Sequence, residues 1–373
     1  MIPPVDIQEL APQAQKILDE SANPKLRLAA ARGIVPGLKP IDLVSVLVAF
    51  ASGPGTDELA KTARATIAGL PAQVLKGVLS GDLQPLVVDA LARSQAAQAD
   101  TIAVLLRMPR IHFETVEWLA QHGNEAVTEL VATNQERLIQ HPRVMELLYL
   151  NEATRMSTAD RVVEFAVRSG VELHGIAAWK EVARAIEGEL VPEAADEPLP
   201  EDLEFKEAAE LAKQLEDDSI IHPFEETEEG EETLVEKFKP LYQRIAEMNV
   251  SQKVRRAQLG TKEERALLLR DSNRLVAAAA IRSPRIQEPE VVLVSNNRNV
   301  CEDVLRIIGN SGEWLKSYQV KKNLVENPRT PLGIAQKLVV QLRETDLKRL
   351  SGDKNVSSSV RLAAKRHLGR RKT

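Results

Sequence analysis

Apolar residues recur along this chain at the three-and-four spacing of a single helix face, and short polar turns interrupt them. In EKFKPLYQRIAEM, Phe238, Leu241, Tyr242 and Ile245 follow the i, i+3, i+4, i+7 pattern. Pro240 falls inside that pattern. Proline lacks an amide donor and clashes with the preceding turn, so it predicts a kink or a later helix start. Thr261 and Glu264 form a T-x-x-E pattern ahead of ALLLR, the signature of a helix whose first turn is capped reciprocally. No stretch alternates apolar and polar residues as a half-buried strand would. The expectation is an all-α chain.

The turns themselves repeat. A proline followed by a basic residue occurs in NPKL at Asn23, MPRI at Met108, HPRV at His141, SPRI at Ser283 and NPRT at Asn327, each ahead of an apolar-periodic segment. Proline ends one helix and suits the first turn of the next, and Asn or Ser before it caps well, so these five sites read as helix joints. Longer matches point to duplication. NPKLRLAAARGIVPGLKPIDL and NPRTPLGIAQKLVVQLRETDL align at an offset of 304. MPRIHFETVEW aligns with SPRIQEPEVVL at an offset of 175, and Val144, Leu148, Asn151 and Thr154 align with Val320, Leu324, Asn327 and Thr330 at an offset of 176. In the second half the units RDSNRLVAAAAIRS, SNNRNVCEDVLRIIGN, VENPRTPLGIAQKLVVQL and SGDKNVSSSVRLAAKRHL each read as a polar turn plus one helix. A helix with one apolar face cannot bury it alone, so neighbours must stack. The predicted fold is an α-solenoid of HEAT-like helical repeats in two arrays.

Residues 248–368 resemble a family of uncharacterised bacterial HEAT-like, or armadillo-like, α-helical repeat proteins. The motifs that carry the resemblance, in order, are RALLLRDSNRLV, SPRIQEPEV, NNRNVCEDVLRII, EWLKSYQV and LVENPRTPLGIAQKLVVQLRETDLKRLSGDKNVSSSVRLAAKRHL. The resemblance implies an all-helical repeat domain. It brings no activity, ligand or catalytic residue.

Composition changes the picture mainly through charge. The net charge of −5 conceals an acidic belt. Residues 187–232 hold 19 Asp/Glu and two Lys, whereas residues 233–373 hold 29 Lys/Arg and 14 Asp/Glu. The expected organisation is a helical array over 1–186, an acidic linker over 187–232 and a basic helical array over 233–373. Residues 187–202, with three prolines and few large apolar side chains, are expected to be disordered. A short helix is expected over LEFKEAAELAKQLEDD. IIHPFEETEEGEE then reads as a solvated linker or as a docking peptide built around Ile220, Ile221 and Phe224. No apolar run approaches the length that spans a bilayer, and MIPPVDIQELAPQ lacks the basic and apolar blocks of a signal peptide. With one cysteine, Cys301, read as a small buried hydrophobe, a soluble cytoplasmic protein without membrane insertion is expected.

Candidate chemistry is sparse. None of the six histidines pairs with another at metal-binding spacing, no glycine-rich phosphate loop or nucleophile elbow is present, and adjacent acids such as Glu263 and Glu264 read as surface helix turns. No enzymatic role, cofactor, metal or small-molecule substrate is expected. Trp118, Trp179 and Trp314 read as core packing between repeats, with a partner-facing anchor as the alternative. The leading candidates for partner binding are basic residues recurring across successive turns: Arg270, Arg274, Arg285, Arg298, Arg306, Lys321, Lys322 and Arg329, with Trp314. The series continues through Lys337, Arg343, Lys348, Arg349, Lys354 and Arg361. It reads as a solvated face laced with i, i+4 pairs, or as a ridge for a polyanion. The expected function is a non-catalytic protein-interaction scaffold or adaptor that uses an extended helical-repeat surface to bind a protein partner, an acidic protein being one candidate. The alternative is a protein gripping the phosphate backbone of nucleic acid, against which stands the scarcity of aromatics for base stacking.

Overall fold

The computed structural model of the chain describes residues 1–54, 57–216, 223–226 and 232–371. They form 24 α-helices, from six to sixteen residues long. One antiparallel ribbon, Phe224–Glu226 with Glu232–Leu234, pairs Phe224 opposite Leu234. The sequence predicts no strand here, because three-residue strands are too short to display alternation. Ile220, Ile221 and His222 of the suggested docking peptide lie outside the described residues.

The chain divides into two compact units, Met1–Val162 and Val163–Thr373. Within each, helices pack mainly on the next or next-but-one in sequence. In the first unit Pro40–Ala51 packs on Pro24–Ala31 and Glu58–Ala68, and Phe113–His122 packs on Glu125–Ala132 and Pro142–Leu150. In the second, Trp179–Ile186 packs on Val250–Leu259 and Arg274–Ile281, and the ladder continues through Glu302–Asn310 and Leu332–Val339 to Ser358–Arg371. This is the construction of an α-solenoid. The core is made chiefly of Ala, Val and Leu; in Arg274–Ile281 every residue from Val276 to Ile281 is buried. Small side chains let helices approach closely, which explains the low aromatic content.

The proline joints are of two kinds. Pro24 and Pro142 open the helices Pro24–Ala31 and Pro142–Leu150, as expected. Pro109, Pro284 and Pro328 instead occupy turns ahead of the helices that follow. The amides of Ile111, Ile286 and Thr330 donate to the carbonyls of Met108, Ser283 and Asn327. Proline there fixes the second position of a four-residue turn. Pro240 lies in the first turn of Lys239–Glu247, which is the later start and not the kink.

Two of the aligned positions make matching hydrogen bonds. Asn151 Nδ2 donates to the carbonyls of Ala120 and Gly123 at 2.9 and 3.0 Å, and its Oδ1 accepts from the Ala153 amide. Asn327 Nδ2 donates to the carbonyls of Ser295 and Asn297 at 3.0 and 2.8 Å, and its Oδ1 accepts from the Arg329 amide. Each asparagine closes its own turn and caps the C-terminal carbonyls of the helix one repeat back. Thr154 and Thr330, also aligned, are both buried.

Candidate partner-binding site

Four turns of the second unit share one construction. Oδ1 of Asp271, Asn297, Asn327 and Asp353 accepts from the amide two residues on, that of Asn273, Asn299, Arg329 and Asn355, at 2.6 to 3.0 Å. A short polar side chain mimics a backbone turn in this way and leaves the next residues pointing outward. The turns lie side by side. Arg274 Nε stands 3.7 Å from Asp303 Oδ2, Asn327 bonds the carbonyl of Asn297, and Asn327, Pro328 and Thr330 share a cleft with Ser357, Ser359 and Val360. Each turn carries one exposed cation: Arg274, Arg298, Arg329 and Lys354. Together they make a file of positive charge along one edge of the ladder.

The other candidates are placed differently. Arg285 is exposed, and its guanidinium donates to the carbonyl of Leu259. The turn that holds it precedes Glu288–Asn296, whereas the turn of Arg298 follows that helix. Nine helical residues, about 14 Å, separate the two edges. Arg306 pairs with Glu302 and with Asp303 at 3.4 Å, Lys322 with Asp346 at 3.0 Å, and Lys321 Nζ lies 3.3 Å from Gln341 Oε1. Arg270 is half-buried, with its guanidinium 3.7 Å from the centre of the Phe224 ring. Trp314 is half-buried in the short turn Trp314–Lys316, and Trp118 and Trp179 are half-buried as well, so none of the three is a fully enclosed core residue. Cys301, expected in the core, is half-exposed ahead of Glu302–Asn310.

A second feature escaped the sequence reading. Glu263 and Glu264, read there as a surface turn, are 1% and 0% exposed, and Arg255, Arg256 and Arg265 are 0%, 4% and 4% exposed. Arg256 grips Glu264 with two parallel bonds, Nε to Oε1 at 2.6 Å and Nη2 to Oε2 at 2.5 Å. Glu264 also closes the expected capping box with Thr261. Gly260 makes room: a Cβ there would stand 2.4 Å from the Arg256 carbonyl and 2.7 Å from Glu264 Oε2. Arg265 forks onto Glu290 at 3.0 Å on both arms. These arginines are buried partly because Pro200–Leu215 packs on Lys239–Glu247, Val250–Leu259 and Lys262–Leu268. Phe205 of that helix is buried, with the guanidinium carbons of Arg255 and Arg256 4.9 and 5.0 Å from its ring centre. Gln252 Nε2 donates to the Glu201 carbonyl at 3.1 Å, and Arg244 Nη2 stands 2.6 Å from Glu207 Oε2. The lone phenylalanine of LEFKEAAELAKQL and the adjacent Arg255 and Arg256 were the available signals.

Among the described residues no group of three or more His, Cys, Asp or Glu could hold a metal ion, and no helix is long and apolar enough to cross a membrane. Comparison of the chain with family models, curated proteins and solved structures gave no match.

Proposed function

We propose that the chain is a non-catalytic, cytoplasmic interaction scaffold of HEAT-like type, and that its second array binds an acidic protein segment along the edge carrying Arg274, Arg298, Arg329 and Lys354. The observation that supports this reading is the recurrence of one exposed cation in or beside each asparagine- or aspartate-closed turn. Packed helices stand about 8–10 Å apart, so cations on successive turns suit an extended chain with an acid at about every third residue. Charges in the interior of the faces are largely met by Glu302, Asp303 and Asp346, whereas Arg298, Arg329 and Lys354 have no side-chain ion pair among the described residues.

The test is a titration of the full chain, and of the triple variant R298E/R329E/K354E, with a labelled poly-glutamate peptide and with a single-stranded oligonucleotide. At low salt the wild type is expected to bind the peptide. The variant should bind about tenfold more weakly or worse, and the difference should shrink as salt rises. Its unfolding midpoint should be unchanged, since the three side chains are exposed. Absence of peptide binding by the wild type would remove the acidic-protein reading. Binding of the oligonucleotide alone would replace it with phosphate-backbone recognition.

A further inference from the structure

Val250–Leu259 is buried on both sides, and the two sides differ in chemistry. Val254 and Ala257 are enclosed, and Gln258 Nε2 reaches the Ala279 carbonyl of Arg274–Ile281 at 2.6 Å. The other side presents Gln252, Arg255 and Arg256, and its cover is Pro200–Leu215. That covering helix comes from the most acidic stretch of the chain and reaches its place through residues 187–199, which form no helix or strand and are mostly exposed. Its contacts with the basic side include an aromatic ring against two guanidinium groups, an amide on a carbonyl, and the Arg244–Glu207 pair at the rim, where Glu207 is about half-exposed. A helix integral to a core leaves bare aliphatic side chains when it is removed. Removing this one also uncovers Lys239–Glu247, with its buried Leu241 and Ile245, but on Val250–Leu259 it hands arginine and glutamine groups to water, which solvates them well.

We infer that the face formed by Arg244, Gln252, Arg255 and Arg256 is a binding surface for an acidic helix bearing a phenylalanine, and that Pro200–Leu215 occupies it in cis as an exchangeable internal ligand. The partner is an amphipathic helix with a carboxylate two residues after the aromatic, the spacing of Phe205 and Glu207, because that spacing seats the ring against the guanidinium groups while the carboxylate meets Arg244. This surface is separate from the turn edge and does not depend on it. The internal helix holds the surface at high effective concentration, so the apparent affinity for a second copy of the helix is lowered by the fraction of molecules in which the site is open.

The experiment uses the full chain and a fluorescent synthetic peptide spanning residues 197–216. Wild type is expected to bind the peptide weakly. Phe205→Ala in the full chain loosens the internal helix and should tighten peptide binding about tenfold or more. Glu207→Arg in the full chain breaks only the rim pair, so it leaves the buried contacts in place; it should tighten binding by a smaller factor, with circular dichroism unchanged. Adding Arg244→Glu to that variant re-forms the rim pair in cis with its charges exchanged and should abolish the gain, and a peptide carrying E207R should bind this double variant no more tightly than the native peptide binds wild type. Peptide binding no tighter in Phe205→Ala than in wild type would overturn the inference. If that variant does not fold, peptide binding by Glu207→Arg equal to wild type overturns it instead. A gain that survives Arg244→Glu would likewise reject this surface as the site.

Discussion

Glu264 accepts two bonds from Arg256, whereas Glu263, its equally buried neighbour, has among the described residues no hydrogen bond to either carboxylate oxygen, with Lys262 Nζ 3.9 Å away. The two should therefore respond in opposite directions. Glu264→Gln leaves a buried guanidinium short of its counter-charge and should cost about 3–5 kcal/mol in urea unfolding. Glu263→Met removes an unsatisfied buried carboxylate and should be neutral or stabilising by about 1–3 kcal/mol. Equal losses from both would refute this account of the cluster. Asp346 offers a pH readout. The Tyr318 hydroxyl, 2.5 Å away, and then Lys322 hold its carboxyl below the usual aspartate range, against the opposing effect of burial. A depressed carboxylate stabilises the fold above its unfolded value, about 3.9, and that contribution fades as the pH falls through the lower folded value. Burial, and then Asp346, push the Tyr318 phenol up. Asp346→Asn should therefore flatten the acid limb of the stability profile and bring the Tyr318 titration partway back down. An unaltered acid limb would show that the pair contributes nothing.

At the scale of elements, Asn151 and Asn327 perform one task in two units, each closing a turn and capping a helix that ends about thirty residues earlier. Loss of either amide strands two helix-end carbonyls, so Asn151→Ala and Asn327→Ala should each cost about 1–3 kcal/mol by chemical denaturation. A cost at one position alone would mean that the shared geometry is not a shared stabilising device. The alignment of these asparagines was legible in the sequence because a turn that must present Oδ1 to its own backbone accepts few residue types. The capping box at Thr261 and Glu264 was legible for the same reason. The packing of Pro200–Leu215 was not. Its pattern of Ala208, Leu211, Ala212 and Leu215 announces a helix but not a partner. Its neighbour Val250–Leu259 reads as polar on the side that is buried, so hydrophobic periodicity had nothing to register. Arg298 and Arg329 were legible as turn residues. The separation of Arg285 from them depends on which end of Glu288–Asn296 each turn adjoins, and a list of basic residues does not contain that.

For the molecule as a whole, charge along the chain and charge in space differ. Composition turns acidic at residue 187 and basic after 232, yet Pro200–Leu215 and Trp179–Ile186 both pack against helices of the basic stretch, within the unit Val163–Thr373. The acidic stretch is thus not uniform. Residues 187–199 carry exposed backbone without helix or strand, while the sixteen-residue helix that follows buries Phe205, Ala208 and Ala212. Proteases need an extended, accessible backbone, and an α-helix anchored by a buried aromatic denies it to them. Limited digestion with a protease that cleaves after glutamate should therefore cut at Glu187, Glu189, Glu193 or Glu197 before it cuts at Glu204, Glu207 or Glu210. The C-terminal fragment recovered should retain Pro200–Leu215. In Phe205→Ala the three helical sites should become susceptible, and raising the salt in the wild type should move them the same way, because the Arg244–Glu207 pair at the rim is screened. Early cleavage within Pro200–Leu215 in the wild type at low salt would show that the helix is not held on the basic face, and would leave the acidic stretch as a tether throughout.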